Sequence, residues 1–346
     1  MTGSLTTINT NTNIALADKQ TWEATLQKLD FCPVYCAYDF MEYQCDYYKS
    51  SEQYQEVKPF HLVYQLNGQP KLILPFIALT NIDGLTTFDT FGGGVISPLH
   101  VKDLPENIRS RGEVDLFNFL NQLASSYRLK ELNVITNRHI QTMGKWYQKV
   151  AEESAEVLLT HNLYVDLSWT NEAILSNFRK SYKHLVNKAK GLWNCIVSAE
   201  DTEKEIFEAY KNLHIEVSQR RTRSDESWEK QYQMLLNRQA FLVILYAQGG
   251  QMVGGAYFNY TKDEAYYSVG VYRRELFDQP LGHLAQLTGI TYMKELGLKL
   301  YNIGRRYYRT EMPVPDEKIL NIAAFKHGFA THLDIETRHI LKTYIA

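Results

Sequence analysis

Two short stretches near the C-terminal end gather the residues best suited to holding anions and assisting group transfer. The first, Leu296-Gly297-Leu298-Lys299-Leu300-Tyr301-Asn302-Ile303-Gly304-Arg305-Arg306, reads as a helix ending at Gly297 and an apolar strand. The strand is expected to stop at Gly304 and to deliver Arg305 and Arg306 at its tip. A planar guanidinium makes bidentate bonds to phosphate oxygens. Adjacent strand residues point to opposite faces, so one of the two is expected to bind phosphate and the other to form a rim salt bridge. The second stretch, Ala324-Phe325-Lys326-His327-Gly328-Phe329, follows the Pro-rich loop Met312-Pro313-Val314-Pro315. A short segment after such a loop brings one residue to a pocket.

Further basic residues lie upstream. Arg220, Arg221 and Arg223 are candidates for gripping a nucleotide diphosphate, with a solvated charge run as the equal alternative. Arg179, Lys180, Lys183, Lys188 and Lys190 share a helix with no acid among them. Such a face either steers a tRNA acceptor stem or is simply solvated. His214, His283, Asp89 and Glu216 are the candidate bases.

The elements that must position these residues are legible from pattern. Lys19 to Leu29 reads as a helix, and the aromatic stretch Phe31 to Tyr54 has no clear period. Phe60 to Leu66, the turn Asn67-Gly68 and Lys71 to Leu79 make a hairpin. After the loop Phe91-Gly92-Gly93-Gly94 come a helix with Leu116, Phe117, Leu120 and Leu123 in register and a strand over Leu129 to Ile135. The order then recurs: hairpin Phe241 to Tyr260 about Gly249-Gly250, strand Ala265 to Tyr272, a helix with Leu281, Leu284 and Ala285, and the strand Leu298 to Ile303. This is a tandem repeat of one α+β unit. Between the copies one helix is expected through Ile174, Leu175, Phe178, Tyr182, Leu185 and Ala189, capped by Thr170 or Asn171. A second opens with a capping box at Thr202 and Glu205, and Trp228, Tyr232 and Leu235 mark a third.

Composition bounds the classes. The 346 residues exceed what one core usually serves, so two domains are expected. A formal net charge of −2 excludes a protein coated in basic surface. Cys32, Cys36, Cys45 and Cys195 form no CxxC pair and have no His at ligand spacing, so neither a metal site nor a disulfide framework is expected. Met1 to Asn13 has no basic start and no apolar core, and no apolar run is long enough to span a bilayer. The expectation is a cytoplasmic protein with no transmembrane segment and a disordered tail over 1–13. A first unit would cover 14–160 and a second 161–346, with a helical insertion at about 170–238. The C-terminal end would pack back on the first unit.

The basic helix Phe178-Arg179-Lys180-Ser181-Tyr182-Lys183, the Gly249-Gly250 hairpin, the Glu295 to Gly304 segment and Phe325-Lys326-His327-Gly328-Phe329 occur in the order of the FemAB-like branch of the GNAT acyltransferase superfamily, which this chain resembles. The last is similar to that family's Phe-Lys-x-Gly-Phe signature. The resemblance implies an α+β fold of two tandem GNAT-like units, each a mixed, mostly antiparallel sheet flanked by helices. It implies transfer of an acyl or aminoacyl group to the primary amine of a nucleotide-linked amino sugar or cell-envelope precursor. Lys326 would face the oxyanion and Phe325 would help position the amine. The co-substrate would be acyl-CoA or aminoacyl-tRNA, with no tightly bound cofactor. Gln279-Pro280-Leu281-Gly282-His283-Leu284 keeps the Gln and first Gly of a Q/R-x-x-G-x-G/A donor loop but has Leu at its last small position. The rival reading is a non-catalytic tandem GNAT-like protein that binds a glycan precursor or tRNA for a biosynthetic partner.

Overall fold

The structure, a computed structural model, describes residues 13–91, 93–136 and 144–342. Of the expected N-terminal tail only Asn13 is described, and Gly92 lies outside the described residues. Two compact units divide the chain, Met1–Leu159 with Glu336–Ala346, and Thr160–Ile335.

The first unit contains β1 (Ile14–Leu16), α1 (Lys19–Leu26), α2 (Tyr38–Lys49), β2 (Tyr54–Leu66), β3 (Gln69–Asn81), β4 (Thr86–Asp89), β5 (Val95–Ile96), β6 (Leu99–His100), α3 (Glu106–Ser126), β7 (Glu131–Ile135) and α4 (Lys145–Glu153). The β2–β3 hairpin turns on Asn67 and Gly68, both at positive φ (51° and 72°), which the right-handed twist of a tight hairpin favours. The sheet runs β1-β2-β3-β4 with β6 also on β3, and β5 pairs in parallel with β7. Leu116, Phe117, Leu120 and Leu123 of α3 share one core with Phe60, Leu62, Leu72 and Leu74 of the hairpin. Half of the unassigned aromatic stretch is α2.

The second unit begins within β8 (Ser154–Asp166) and continues through α5 (Asn171–Asn177), α6 (Lys180–Leu192), β9 (Asn194–Ser198), α7 (Lys204–Ser218), α8 (Asp225–Leu236), β10 (Ala240–Tyr246), β11 (Met252–Tyr260), β12 (Glu264–Tyr272), α9 (Leu281–Glu295), β13 (Leu300–Arg306) and α10 (Glu317–His327). The last described element is β14 (His332–Lys342), whose Arg338 to Lys342 pair with β7 in the first unit. Strand order in the second unit is β8-β13-β12-β11-β10-β9, antiparallel throughout except for the parallel β12–β13 pair. Alternation along β11 places helices on both faces. A Cβ at Gly289 of α9 would lie 2.9 Å from Phe258, whereas one at Gly255 would lie 3.0 Å from Tyr210 of α7. The Tyr257 hydroxyl, on the Gly255 side, donates to the Gln231 carbonyl of α8 at 2.7 Å.

Four local expectations are corrected. The strand carrying Arg305 and Arg306 does not stop at Gly304; β13 runs on to Arg306 because Arg305 and Arg306 still pair with Asn162 and His161. The single helix drawn through Ile174 to Ala189 breaks at Phe178 and Arg179, since the Arg179 N–H bonds the Gly328 carbonyl at 2.8 Å instead of continuing a helix. Thr170, however, caps α5 by accepting from the Ala173 N–H. No capping box forms at Thr202: its hydroxyl bonds Ser198 and the Ala199 carbonyl, and α7 starts at Lys204 with Glu203 in the cap position. The insertion also contains a strand, β9, so it is not wholly helical.

Candidate active site

The parallel β12–β13 pair is short by construction. It holds over Glu264↔Leu300, Ala265↔Tyr301 and Tyr266↔Asn302, and there it ends, although both strands continue. Each is bulged at that point. On the β11 side the register passes from Val269 to Tyr267 and skips Ser268; on the β8 side it passes from Asn302 to Gly304 and skips Ile303. A bulge bends its strand and increases local twist. Two of them on neighbouring strands split the sheet, leaving Tyr267 to Tyr272 on one side of a wedge and Ile303 to Arg306 on the other.

Helix α10 delivers Lys326 to this wedge. The Asp316 carboxylate accepts the Ile319 N–H at 2.7 Å and starts the helix, and Lys326 occupies its last turn. The short segment expected after the Pro-rich loop is this helix, Glu317–His327. The Lys326 ammonium sits 5.4 Å from the Tyr267 ring centroid, and a Cβ at Gly304 would stand 3.0 Å from Nζ. Gly304 thus has two reasons to be glycine: that contact and its φ of 109°. Burial pulls the Lys326 pKa down to about 8, with no carboxylate among the described residues acting on it.

What fixes Lys326 is a latch between α6 and α10. Arg179 Nη2 donates to the Ala324 carbonyl at 2.9 Å and the Tyr182 hydroxyl to the Phe325 carbonyl at 3.2 Å. The first bond serves a carbonyl of the last helical turn, and the second adds to the Gly328 N–H bond that the Phe325 carbonyl already accepts at 3.1 Å. The Tyr182 ring lies over Gly328, where a Cβ would be 2.1 Å away. Phe325 is held in turn by α9, because a Cβ at Gly282 would lie 2.9 Å from its ring and His283 meets it edge-on at 5.2 Å. Replacing Tyr182 by Phe keeps the ring but removes one neutral hydrogen bond. Stability should fall by about 1 kcal/mol, read from the denaturant midpoint.

The candidate residues separate clearly. Arg306 lies two residues from Gly304 and shares its face of β13, whereas Arg305 is bound to Glu311 at 3.1 Å. Arg179 belongs to the latch, and Lys183 is exposed on α6 one turn further along. Arg221 is paired with Asp225, Arg223 stacks on Trp228 at 5.3 Å, and Arg220 is exposed. The Gln279 side chain donates to the Asp278 carboxylate, and Gly282 packs beneath Phe325. His283 is wedged edge-on against Tyr182 at 4.5 Å; burial, with Arg179 assisting, lowers its pKa to about 4. His214, 3.3 Å from Arg223, is likewise lowered to about 4 by burial and then by that charge. Both imidazoles are neutral at pH 7 and weak as bases. Glu216 is taken by Arg273 at 2.7 Å, and Asp89, in the first unit, accepts from the Tyr48 hydroxyl at 2.7 Å. The sequence reading placed Tyr182 in an apolar stripe, Tyr267 in a strand and His327 in the Phe325 to Phe329 segment, and gave none of the three a part in the site. The Asp316 cap was the one available signal for the helix that groups them. Among the described residues no cluster of His, Cys, Asp or Glu could hold a metal ion, and no helix is long and apolar enough to cross a membrane.

No family model and no curated protein matches this sequence. Solved structures do match. FemX superimposes with a TM-score of 0.67 at 13% identity over 95% of this chain and 97% of that one. L-PGS from Bacillus licheniformis gives 0.55 at 12% over 93% and 91%. The C-terminal domain of a protein assigned as a lysylphosphatidylglycerol synthetase from Agrobacterium fabrum gives 0.54 at 11% over 93% and 90%. The α+β fold is therefore shared with FemX, as the resemblance implied.

Proposed function

We propose that this chain is an N-acyltransferase that moves an acyl or aminoacyl group onto the primary amine of a nucleotide-linked amino sugar or related envelope precursor. The observation that carries this reading is Lys326. An enclosed ammonium without a carboxylate partner among the described residues, at the point where a sheet splits, is arranged to meet negative charge supplied by a substrate. When an amine attacks the donor carbonyl, the C–N bond forms and the carbonyl oxygen becomes an oxyanion. Lys326 donates to that oxygen. Collapse of the intermediate expels the donor's thiol or hydroxyl, and the amine loses its proton. Phe325, clamped between Gly282 and His283, sets the position of Lys326 and the approach of the amine. The names of the neighbouring folds, a lysylphosphatidylglycerol synthetase among them, are consistent with aminoacyl transfer in the cell envelope.

Two observations favour aminoacyl-tRNA over acyl-CoA as donor. The donor loop's last small position is Leu284, a core side chain, and its Gly282 is consumed by packing against Phe325. Lys180, Lys183, Lys188 and Lys190 meanwhile form an exposed face of α6 with no ion pair among the described residues. Uncompensated lysines of this kind bind a polyanion through counterion release. Calorimetric titration with acetyl-CoA and free coenzyme A should therefore give no heat. Affinity for aminoacyl-tRNA should fall about a hundredfold between about 50 and 200 mM salt. Saturable coenzyme A binding, or RNA binding indifferent to salt, would reverse the choice of donor.

A further inference from the structure

We propose that Arg179, Arg306 and His327 form a subsite for a phosphate-class anion beside Lys326, distinct from the oxyanion position. The proposal deepens the transferase reading and rests on it for the identity of the ligand. Arg306 follows Gly304 on the same face of β13, and Lys326 lies over Gly304, so the guanidinium flanks the last turn of α10. Its place is fixed: Nη1 donates to the Tyr307 carbonyl at 2.7 Å, the plane lies 4.7 Å from the Tyr308 ring centroid, and Tyr308 is braced edge-on by His161 at 4.9 Å. Arg306 Nε is nonetheless buried with no hydrogen-bond partner. Arg179 spends one nitrogen on the Ala324 carbonyl, leaving the remainder of its fork to solvent.

Neither arginine nor His327 forms an ion pair among the described residues, whereas Arg305, one position away, is neutralised by Glu311. His327, next in sequence to Lys326, feels both charges: burial lowers its pKa first, then Arg306, then Arg179. Cations gathered at a helix C-terminus have an ordinary explanation in the helix dipole. That explanation serves Arg179 and His327 but not Arg306, which is held by a strand and a tyrosine ring. Three basic groups crowded without an acid repel one another, and a bound dianion reverses the sign of that interaction. Bidentate guanidinium geometry suits phosphate oxygens.

The test is the titration of the His327 ring in the full-length protein by NMR, with the resonance assigned through His327→Gln. Inorganic pyrophosphate should raise the His327 pKa by about 1. Arg306→Gln should weaken pyrophosphate about tenfold or more. If that variant does not fold, Arg306→Lys keeps the charge and loses the fork, and should still weaken binding. Competition by coenzyme A places the anion on the donor, and competition by uridine diphosphate places it on the acceptor; either upholds the subsite. An unmoved His327 in folded wild-type protein, or equal pyrophosphate affinity in a folded Arg306 variant, overturns it. Binding is read without turnover. A protein that binds pyrophosphate yet transfers no acyl group keeps the subsite and loses the transferase reading.

Discussion

Lys326→Ala should lower turnover by about 10²- to 10³-fold, the usual effect of removing one preorganised oxyanion donor, while the protein stays folded. The same substitution should not harm stability, and Lys326→Met should raise it. Desolvation sets the folded-state pKa of Lys326 at about 8, below the free-lysine value of 10.5. Between those two values the unfolded chain binds more protons than the folded one, so stability rises with pH across that window. Below about pH 8 the buried charge is carried at its full cost, on the order of 3 kcal/mol, which a Met side chain avoids. Catalysis runs the other way. An ammonium is needed opposite the oxyanion, so kcat should decline as pH rises through about 8. Lys326→Arg, which stays charged, should move that limb to higher pH in whatever activity it retains. A Lys326→Ala protein with wild-type turnover removes the residue from the mechanism. A rate that climbs through pH 8 only when Lys326 is present would instead make the neutral amine a base.

The periodic elements were legible because each is decided locally. The Asn67-Gly68 turn, the α3 stripe and the apolar face of α9 need nothing from elsewhere in the chain. The site was legible as residue types but not as geometry. That only one of Arg305 and Arg306 faces the site follows from strand alternation; which one depends on the bulge at Ile303, which shifts the parity of everything after it. The break at Phe178 and Arg179 comes from a tertiary partner, the Gly328 carbonyl, so helical spacing across it misleads. Helix α10 lacks a clean stripe because only Ala323 on it is fully buried, and its apolar Ile319 and Ile322 face outward. A periodic reading has nothing to find there. Arg179 illustrates the remaining gap: its charge suggested RNA or phosphate, but its first use is to tie down the end of α10.

Gly328→Ala should damage the second unit although it removes none of the proposed site residues. A glycine just after a helix usually signals a left-handed backbone, but Gly328 has φ −64°, which any residue adopts. Its constraint is steric. A Cβ there would lie 2.1 Å from the Tyr182 ring, and that ring is hemmed in by His283 at 4.5 Å and Phe329 at 4.7 Å. Relief requires α6 and α10 to separate, which stretches the Arg179 and Tyr182 bonds and shifts Lys326. Overpacking of this kind costs about 1 to 3 kcal/mol. Displacing Lys326 by about 1 Å should cost up to about 10² in kcat, with a smaller change in KM because the damage falls on transition-state contacts. Tyr182→Ala on its own should lose packing and a hydrogen bond, yet the double variant should be less damaged than the sum of the two, since removing the ring makes room for the methyl. Strict additivity, or a Gly328→Ala protein with unaltered kcat and midpoint, would mean that Tyr182 does not set the position of the helix end. In that case the latch is packing alone, and Lys326 is placed by Gly304 and Tyr267 without it.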